Sequence, residues 1–260
     1  MPTREAGELR ALAQLLRSAR SAVALTGAGI SVPSGIPDFR SPGTGRWERV
    51  DPMEVAHIDA FHRDPERFWA FYSARFAALA GKEPNDAHRA LAHLESQGLL
   101  DAVITQNIDM LHRAAGTREL IEVHGSIERC RCLRCAASVP LAEARRRAGE
   151  DPRGVPRCEG CGDPLKPGVV LFGELLPAAP MARAQQLCER ADVLLCVGSS
   201  LEVHPVAGLP LVTHRAGGSI AIVTQGPTPL DELASVRLHG DVVEVLEGLL
   251  GALEDAEAAA

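Results

Sequence analysis

The sequence predicts an α/β protein: a Rossmann-like doubly wound parallel sheet with a smaller module inserted into it. Short apolar runs, AVALTG (22–27), AVIT (102–105), LIEV (120–123), VLLCVG (193–198) and SIAIV (219–223), alternate with segments of helical periodicity. Strands that are apolar throughout are those buried on both faces of a parallel sheet covered by helices. Two stretches interrupt the alternation, one from Ser41 to about Pro84 and one from Ile127 to about Val169, and they are expected to pack together beside the sheet.

In chain order, helices are expected at 5–19, 64–79, 86–97, 178–190, 205–215 and 241–253. Residues 1–40, 85–126 and 170–254 would form the Rossmann-like domain. Residues 41–84 would be the helical part of the small module, 127–169 its cysteine-bearing part, and 255–260, the acidic and alanine-rich DAEAAA, a frayed tail. No internal repeat is visible.

The bulk numbers exclude several classes. A chain of 260 residues, 46% hydrophobic and 23% charged, has the composition of an ordinary globular protein. No apolar run approaches the roughly 18 to 20 residues of a membrane span, and MPTREAGELRALAQ lacks a hydrophobic signal core, so a cytoplasmic protein is expected. The net charge of -7 argues against a protein that coats nucleic acid. Nine Lys/Arg against six Asp/Glu between Ile127 and Gly168 read as a solvated basic surface.

The first strand turns on Gly27-Ala28-Gly29, which allows backbone amides to approach a pyrophosphate. A standard dinucleotide fingerprint would place a third glycine at position 32, which is valine. Taken alone, Gly-x-Gly after a strand is more often a tight turn.

Five of the seven cysteines lie between positions 130 and 161. Cys132, Cys135, Cys158 and Cys161 form two C-x-x-C pairs separated by 22 residues, a spacing that closes a tetrahedron around zinc. Four thiolates leave no position for water, so the zinc is expected to be structural and to hold a module, a zinc ribbon, too poor in apolar residues to fold alone. Cys130 would give a one-residue spacer with Cys132, and it is read as a non-ligand together with Cys188 and Cys196.

Three further features call for explanation. Gln106, Asn107 and Asp109 follow the strand AVIT, at the end where open α/β sheets bind ligands, although Asn-Ile-Asp by itself reads as a helix cap. His124 follows LIEV and precedes a glycine, which puts its ring at a strand end. On the helix at 64–79, positions 68, 71, 72, 75, 76 and 79 form a stripe of Phe, Phe, Tyr, Arg, Phe and Leu, so Arg75 sits on an apolar face and needs an anionic partner or a snorkelling stem.

GAGISVPSGIPDFR, TQNID at 105–109, HG at 124–125, the four cysteines, FGE at 172–174 and GSSLEVHP at 198–205, in that order, resemble the sirtuin family of NAD-dependent protein deacylases. The resemblance covers residue 23 to about 242. It implies that NAD is consumed as a cosubstrate: the acyl-lysine amide oxygen displaces nicotinamide from the ribose, and the acyl group then moves to ADP-ribose. His124 would be the general base; imidazole suits the task because its ordinary pKa, about 6.5, lies near neutrality.

The resemblance also distributes the cofactor contacts. Gly27, Ala28, Val32 and Arg40 would lie around the phosphates and ribose, Phe39 on the nicotinamide side, and Gln106 near the ribose. Asn107, Ile108 and Asp109 would line the nicotinamide pocket, with Gly198, Ser199, Ser200, Thr224 and Val242 toward the adenosine half. Thr224 and Gln225 stand where the family usually has asparagine, and His204 and Glu202 where it often has tyrosine and an apolar residue.

Acyl-lysine protein substrates would pair their backbone with segments near 168–172 and 200–203. Tyr72 and Arg75 match the Tyr-x-x-Arg of the sirtuin class that removes acidic acyl groups such as succinyl and malonyl, and Ala56 matches a small residue that widens its acyl pocket. A monomer acting without direct nucleic-acid or membrane contact is expected. Three other functions compete. Protein ADP-ribosyl transfer would use the same NAD site, a dehydrogenase is disfavoured by Val32, and a nucleic-acid-binding ribbon is disfavoured by the acidic charge.

Overall fold

The computed structural model describes residues 2–38 and 51–258, so Phe39 and Arg40 lie outside the described residues. Helix α1 (Pro2–Ser18) leads into β1 (Ala22–Thr26) and a 3-10 helix at Ala28–Ser34. Two short helices follow, α2 (Pro52–Val55) and α3 (Ile58–Arg63), then the longer α4 (Pro65–Leu79), α5 (Asp86–Ser96), β2 (Ala102–Thr105), α6 (Leu111–Ala114) and β3 (Leu120–Glu122). The cysteine-bearing stretch forms β4 (Gly125–Cys132), β5 (Ser138–Pro140), α7 (Leu141–Glu150) and β6 (Leu165–Val169). The chain ends with α8 (Ala178–Arg190), β7 (Val193–Val197), α9 (Leu209–Arg215), β8 (Ser219–Val223), β9 (Val236–Leu238) and α10 (Val242–Ala258).

The six-stranded sheet has the order β3-β2-β1-β7-β8-β9, and its strand pairs are parallel. Relabelled by appearance this is 3-2-1-4-5-6, the Rossmann order, with the direction of winding reversing between β1 and β7. Alternation along β1 builds the two faces. Ala22 and Ala24 pack with Leu12, Leu91 and Leu246 from α1, α5 and α10, whereas Val23 and Leu25 pack with Leu187 and Leu209 from α8 and α9.

A third apolar cluster joins the two interrupting stretches. Phe68, Trp69, Tyr72 and Phe76 of α4 pack with Cys130, Leu165 and Val169 of the three-stranded antiparallel sheet β5-β4-β6, and Trp69 Nε1 donates to the Leu165 carbonyl oxygen at 2.8 Å. Residues 68, 72 and 76 of the expected stripe are buried, while Phe71, Arg75 and Leu79 are half-buried.

Four features depart from the sequence reading. Strand β9 and helix α7 were not anticipated. The segment expected as one helix at 205–215 opens with a 3-10 turn at Val206–Gly208. The tail is not frayed over its whole length: α10 continues through Ala258, because Asp, Glu and Ala are tolerable to good helix formers with no breaker among them.

Candidate active site and metal centre

The site starts from close backbone approach at the point where the sheet order reverses. A Cβ on Gly27 would lie 2.9 Å from the Gly198 carbonyl oxygen, and one on Gly29 would lie 2.8 Å from the same atom. Gly198 has φ +62°, and a Cβ there would meet the Ile30 nitrogen at 2.3 Å. The loops after β1 and β7 can touch only because all three are glycine. Gly27 is extended, and the following turn is a 3-10 rather than an α-helix; it contains Pro33 and stops at left-handed Gly35. Val32, in the place of a third glycine, is 45% exposed.

Asn85 ties this turn to the next helix. Its Oδ1 accepts from the Ala87 amide at 3.0 Å, capping α5, and its Nδ2 donates to the Ile30 carbonyl at 2.8 Å and to Ser34 Oγ at 3.0 Å.

The residues after β2 converge on the same place. Asn107 Nδ2 donates to the Gly27 carbonyl at 3.0 Å and to Ser31 Oγ at 3.2 Å, and Ser31 donates to Asp109 Oδ2 at 2.7 Å. Asp109 Oδ1 accepts from the Leu111 amide at 3.0 Å, but the N-cap position of α6 is Met110, so none of Asn107, Ile108 and Asp109 is the helix cap that Asn-Ile-Asp by itself suggested. Burial raises the Asp109 carboxyl above its usual range, opposed by the Leu111 and Ser31 hydrogen bonds and by the charge of Arg75.

Gln106 reaches across the junction, its Nε2 donating to Ser199 Oγ at 3.0 Å. Ser199 is buried, Ser200 is half-buried, and Thr224 follows β8 with its amide on the Leu238 carbonyl. Val242 packs into the core at the start of α10.

Beneath these groups lies a buried polar layer that the sequence reading did not single out. His112 Nε2 lies 2.9 Å from Thr26 Oγ1, which donates to Thr105 Oγ1 at 2.9 Å. His88 Nε2 lies 3.4 Å from Ser31 Oγ, and the two imidazoles meet edge to face with centroids 4.8 Å apart. Burial drives His88 down to about 4 and His112 down to about 3, so both rings are neutral near pH 7. The available signal was His88 three residues from Leu91 on the buried face of α5.

His124 stands between β3 and β4, where the large sheet hands the chain to the small one. Its Nδ1 is 3.0 Å from the Gln106 carbonyl oxygen. A carbonyl can only accept, so Nδ1 carries the proton and Nε2 keeps the lone pair a base requires. Burial lowers the His124 pKa below its ordinary 6.5, with the Gln106 hydrogen bond opposing. The adjoining Gly125 has φ +72°, and a Cβ there would fall 2.2 Å from the Gly168 carbonyl oxygen.

Helix α4 closes one side. Tyr72 is buried in the cluster that includes Leu171, with Ile108 and Met110 packed against it, and it stacks on Phe68 at 4.4 Å. Burial pushes its phenol up to about 12, opposed by the charge of Arg75. Ala56 is buried, and its carbonyl accepts from the Phe172 amide at 2.9 Å. The expected peptide-pairing stretch 168–172 is largely occupied within the protein. Val170 N donates to the His124 carbonyl, Leu171 N to Glu174 Oε2 and Phe172 N to the Ala56 carbonyl. Leu175 and Leu176 follow without a backbone partner among the described residues, and Leu175 is 95% exposed.

The four sulfurs of Cys132, Cys135, Cys158 and Cys161 lie within 4.8 Å of one another, the nearest pairs at 3.4, 3.5 and 3.7 Å. Zinc–sulfur bonds of about 2.3 Å place sulfurs about 3.8 Å apart at the corners of a tetrahedron, so the set fits the ion. Backbone N–H groups of Arg134 and Cys135 point at the Cys132 sulfur, that of Ala137 at Cys135 and that of Asp163 at Cys161; these contacts lower the thiol pKa values, and at Cys135 and Cys161 the neighbouring thiols outweigh them. Cys130, Cys188 and Cys196 are buried and lie outside the cluster.

The fold and site define a Rossmann-like α/β protein with a glycine-lined loop junction at its topological switch point and a four-cysteine module beside it. Residues 27–205 match the Sir2 family model. The chain is 46% identical over 252 residues to a NAD-dependent protein deacetylase of Caldivirga maquilingensis, covering 96% of this chain and 95% of that protein. It is 44% identical over 248 residues to a NAD-dependent protein deacylase of Thermococcus kodakarensis, covering 94% and 95%.

A solved Sir2 structure with a deacetylated p53 peptide and 3'-O-acetyl-ADP-ribose shares 40% identity and superposes with a TM-score of 0.89, covering 94% of this chain and 97% of that one. A Sir2 bound to acetylated peptide shares 38% identity with a TM-score of 0.86, covering 96% and 98%. The chain belongs to the Sir2 family, the sirtuins. No helix among the described residues is long and apolar enough to cross a membrane.

Proposed function

We propose that this protein removes acyl groups from protein lysines at the expense of NAD, with His124 as general base. The observation that carries the reading is the His124 Nδ1 to Gln106 carbonyl contact of 3.0 Å, beside the Asn107 and Asp109 side chains at the sheet's switch point. When bound, NAD supplies an electrophilic ribose carbon and the hydroxyls that take up the acyl group.

The chain's own residues do the rest. Gly27, Gly29 and Gly198 keep the junction of the β1 and β7 loops free of side chains, so the pyrophosphate would meet backbone. Asn107 and Asp109 present the amide and carboxylate chemistry that complements a carboxamide. His124 Nε2 accepts a proton from the reacting hydroxyl. The four cysteines would hold zinc, which shapes the small module and supports β4, the strand that begins next to His124. An acyl-lysine peptide would find open backbone at Leu175 and Leu176 rather than at Val170 to Phe172.

The acyl preference we assign is acidic, through Tyr72 and Arg75, with acetyl also accepted. Three facts support it: Tyr72 is buried in the cluster against which Ile108 and Met110 pack, its phenol stays protonated as a donor, and the Arg75 charge acts on both Tyr72 and Asp109. Arg offers a fork of donors to a carboxylate. The small side chain of Ala56 would leave space in an acyl pocket, as the resemblance implies.

The test incubates the protein with NAD and acetyl- or succinyl-lysine peptides. Nicotinamide release that requires the acylated peptide, with no absorbance of reduced nicotinamide, supports the reading; reduced nicotinamide formation contradicts it.

A further inference from the structure

Lys166, on β6, is 1% exposed, and an ammonium so deeply buried needs all three of its protons matched. They are matched, at 2.6 Å by the Val169 carbonyl, at 2.8 Å by Glu174 Oε2 and at 3.1 Å by the Pro167 carbonyl. The same Glu174 oxygen accepts from the Leu171 amide at 2.9 Å, and the Glu174 amide donates to the Leu171 carbonyl at 3.1 Å.

One lysine thus fixes both ends of the segment 169–174. Its first end, Val169, pairs with Gly125 beside His124. Its last end is the turn that delivers Leu175 and Leu176. Between them Val170 bonds to the His124 carbonyl, and Phe172 exchanges two hydrogen bonds with the backbone of Ala56 and Ile58. Gly173 completes the turn at φ +84°, where a Cβ would lie 2.5 Å from His57 Nε2. Glu174 also acts electrostatically on Tyr72.

We infer that the Lys166–Glu174 pair is a positioning device for peptide recognition. It holds the 169–174 segment so that Leu175 and Leu176 are presented at a set distance from His124 and from the acyl side of the cleft. Neither side chain touches the reacting atoms. The inference rests on the deacylase reading for the identity of the peptide, while the ordering of the segment stands on geometry alone.

The experiment compares wild type with Lys166→Met and Glu174→Gln, using the full chain with its metal. Amide exchange is followed by mass spectrometry, and KM is measured separately for an acyl-lysine peptide and for NAD. Exchange at Val170 to Glu174 is expected to speed up about tenfold or more, and the peptide KM to rise about tenfold while the NAD KM stays within about twofold. Glu174→Gln keeps the side-chain volume and serves as the readout if Lys166→Met does not fold. Unchanged exchange in the segment, or equal rises in both KM values, overturns the inference. If the wild type consumes no acyl-lysine peptide, the deacylase reading fails, and the exchange result still decides whether the pair orders the segment.

Discussion

The Nδ1 atom of His124 lies 3.0 Å from the main-chain carbonyl oxygen of Gln106, and this contact sets which face of the imidazole is basic. The proton resides on Nδ1, and Nε2 is free to accept. Because burial holds the pKa below 6.5, the ring is in its accepting form at neutral pH. The kcat/KM profile is therefore expected to be flat around neutrality and to fall on acidification through a midpoint below 6.5. His124→Ala is expected to lower turnover by about 10²- to 10⁴-fold with the fold intact. A pH–rate series with circular dichroism on the variant checks both.

The buried pair His88 and His112 ties stability to acid. Their folded values, about 4 and about 3, lie below the ordinary 6.5, so below pH 6.5 the unfolded chain binds protons that the folded chain does not. Stability is fully present above 6.5 and is lost as pH falls toward 4 and then 3. Each ring contributes a slope of up to about 1.4 kcal/mol per pH unit in that window. Urea unfolding across the window should show a shallower pH slope for His112→Asn; an unchanged slope would refute the assignment.

Legibility from sequence followed burial pattern. The strands β1, β2, β7 and β8 were readable because they are apolar throughout and buried on both faces. Strand β9 is three residues long and carries Arg237, whose guanidinium bonds Asp231 and the carbonyls of Thr224, Gly226 and Leu238, so no apolar run marks it. Helix α7 buries only Ala144 and is laced by Glu143 to Arg146 and Arg147 and by Arg146 to Glu150, which reads as a charged loop unless spacing is weighed. The cysteines declared themselves by spacing. Lys166, His88 and His112 did not, because a titratable residue's burial depends on chain segments remote from it.

The four cysteines, whose sulfurs fit a zinc ion, are also tied into the packing of the small module. Cys132 closes β4 and pairs in register with Leu165, which accepts the Trp69 indole bond. Removing zinc with a chelator, or making Cys132→Ser, is expected to lose one zinc per chain and a large part of the small module's cooperative unfolding. Metal analysis alongside calorimetry decides it, and retained stoichiometry with an unchanged melt would count against a structural zinc.

Arg75 is expected to set acyl preference. Charge-assisted hydrogen bonds contribute about 1.5 to 3 kcal/mol each, or roughly a tenfold to hundredfold change in preference. Arg75→Met should lower kcat/KM for succinyl-lysine relative to acetyl-lysine by about tenfold or more. Equal ratios in wild type and variant would leave Arg75 with a packing role only.

The most direct test of NAD-dependent deacylation is the product balance. Mass spectrometry of a reaction with NAD and an acyl-lysine peptide is expected to show nicotinamide, O-acyl-ADP-ribose and free lysine peptide formed in equal amounts, and the last two formed about 10²- to 10⁴-fold more slowly with His124→Ala. ADP-ribose attached to protein, or peptide that keeps its acyl group while nicotinamide is released, would contradict that reading.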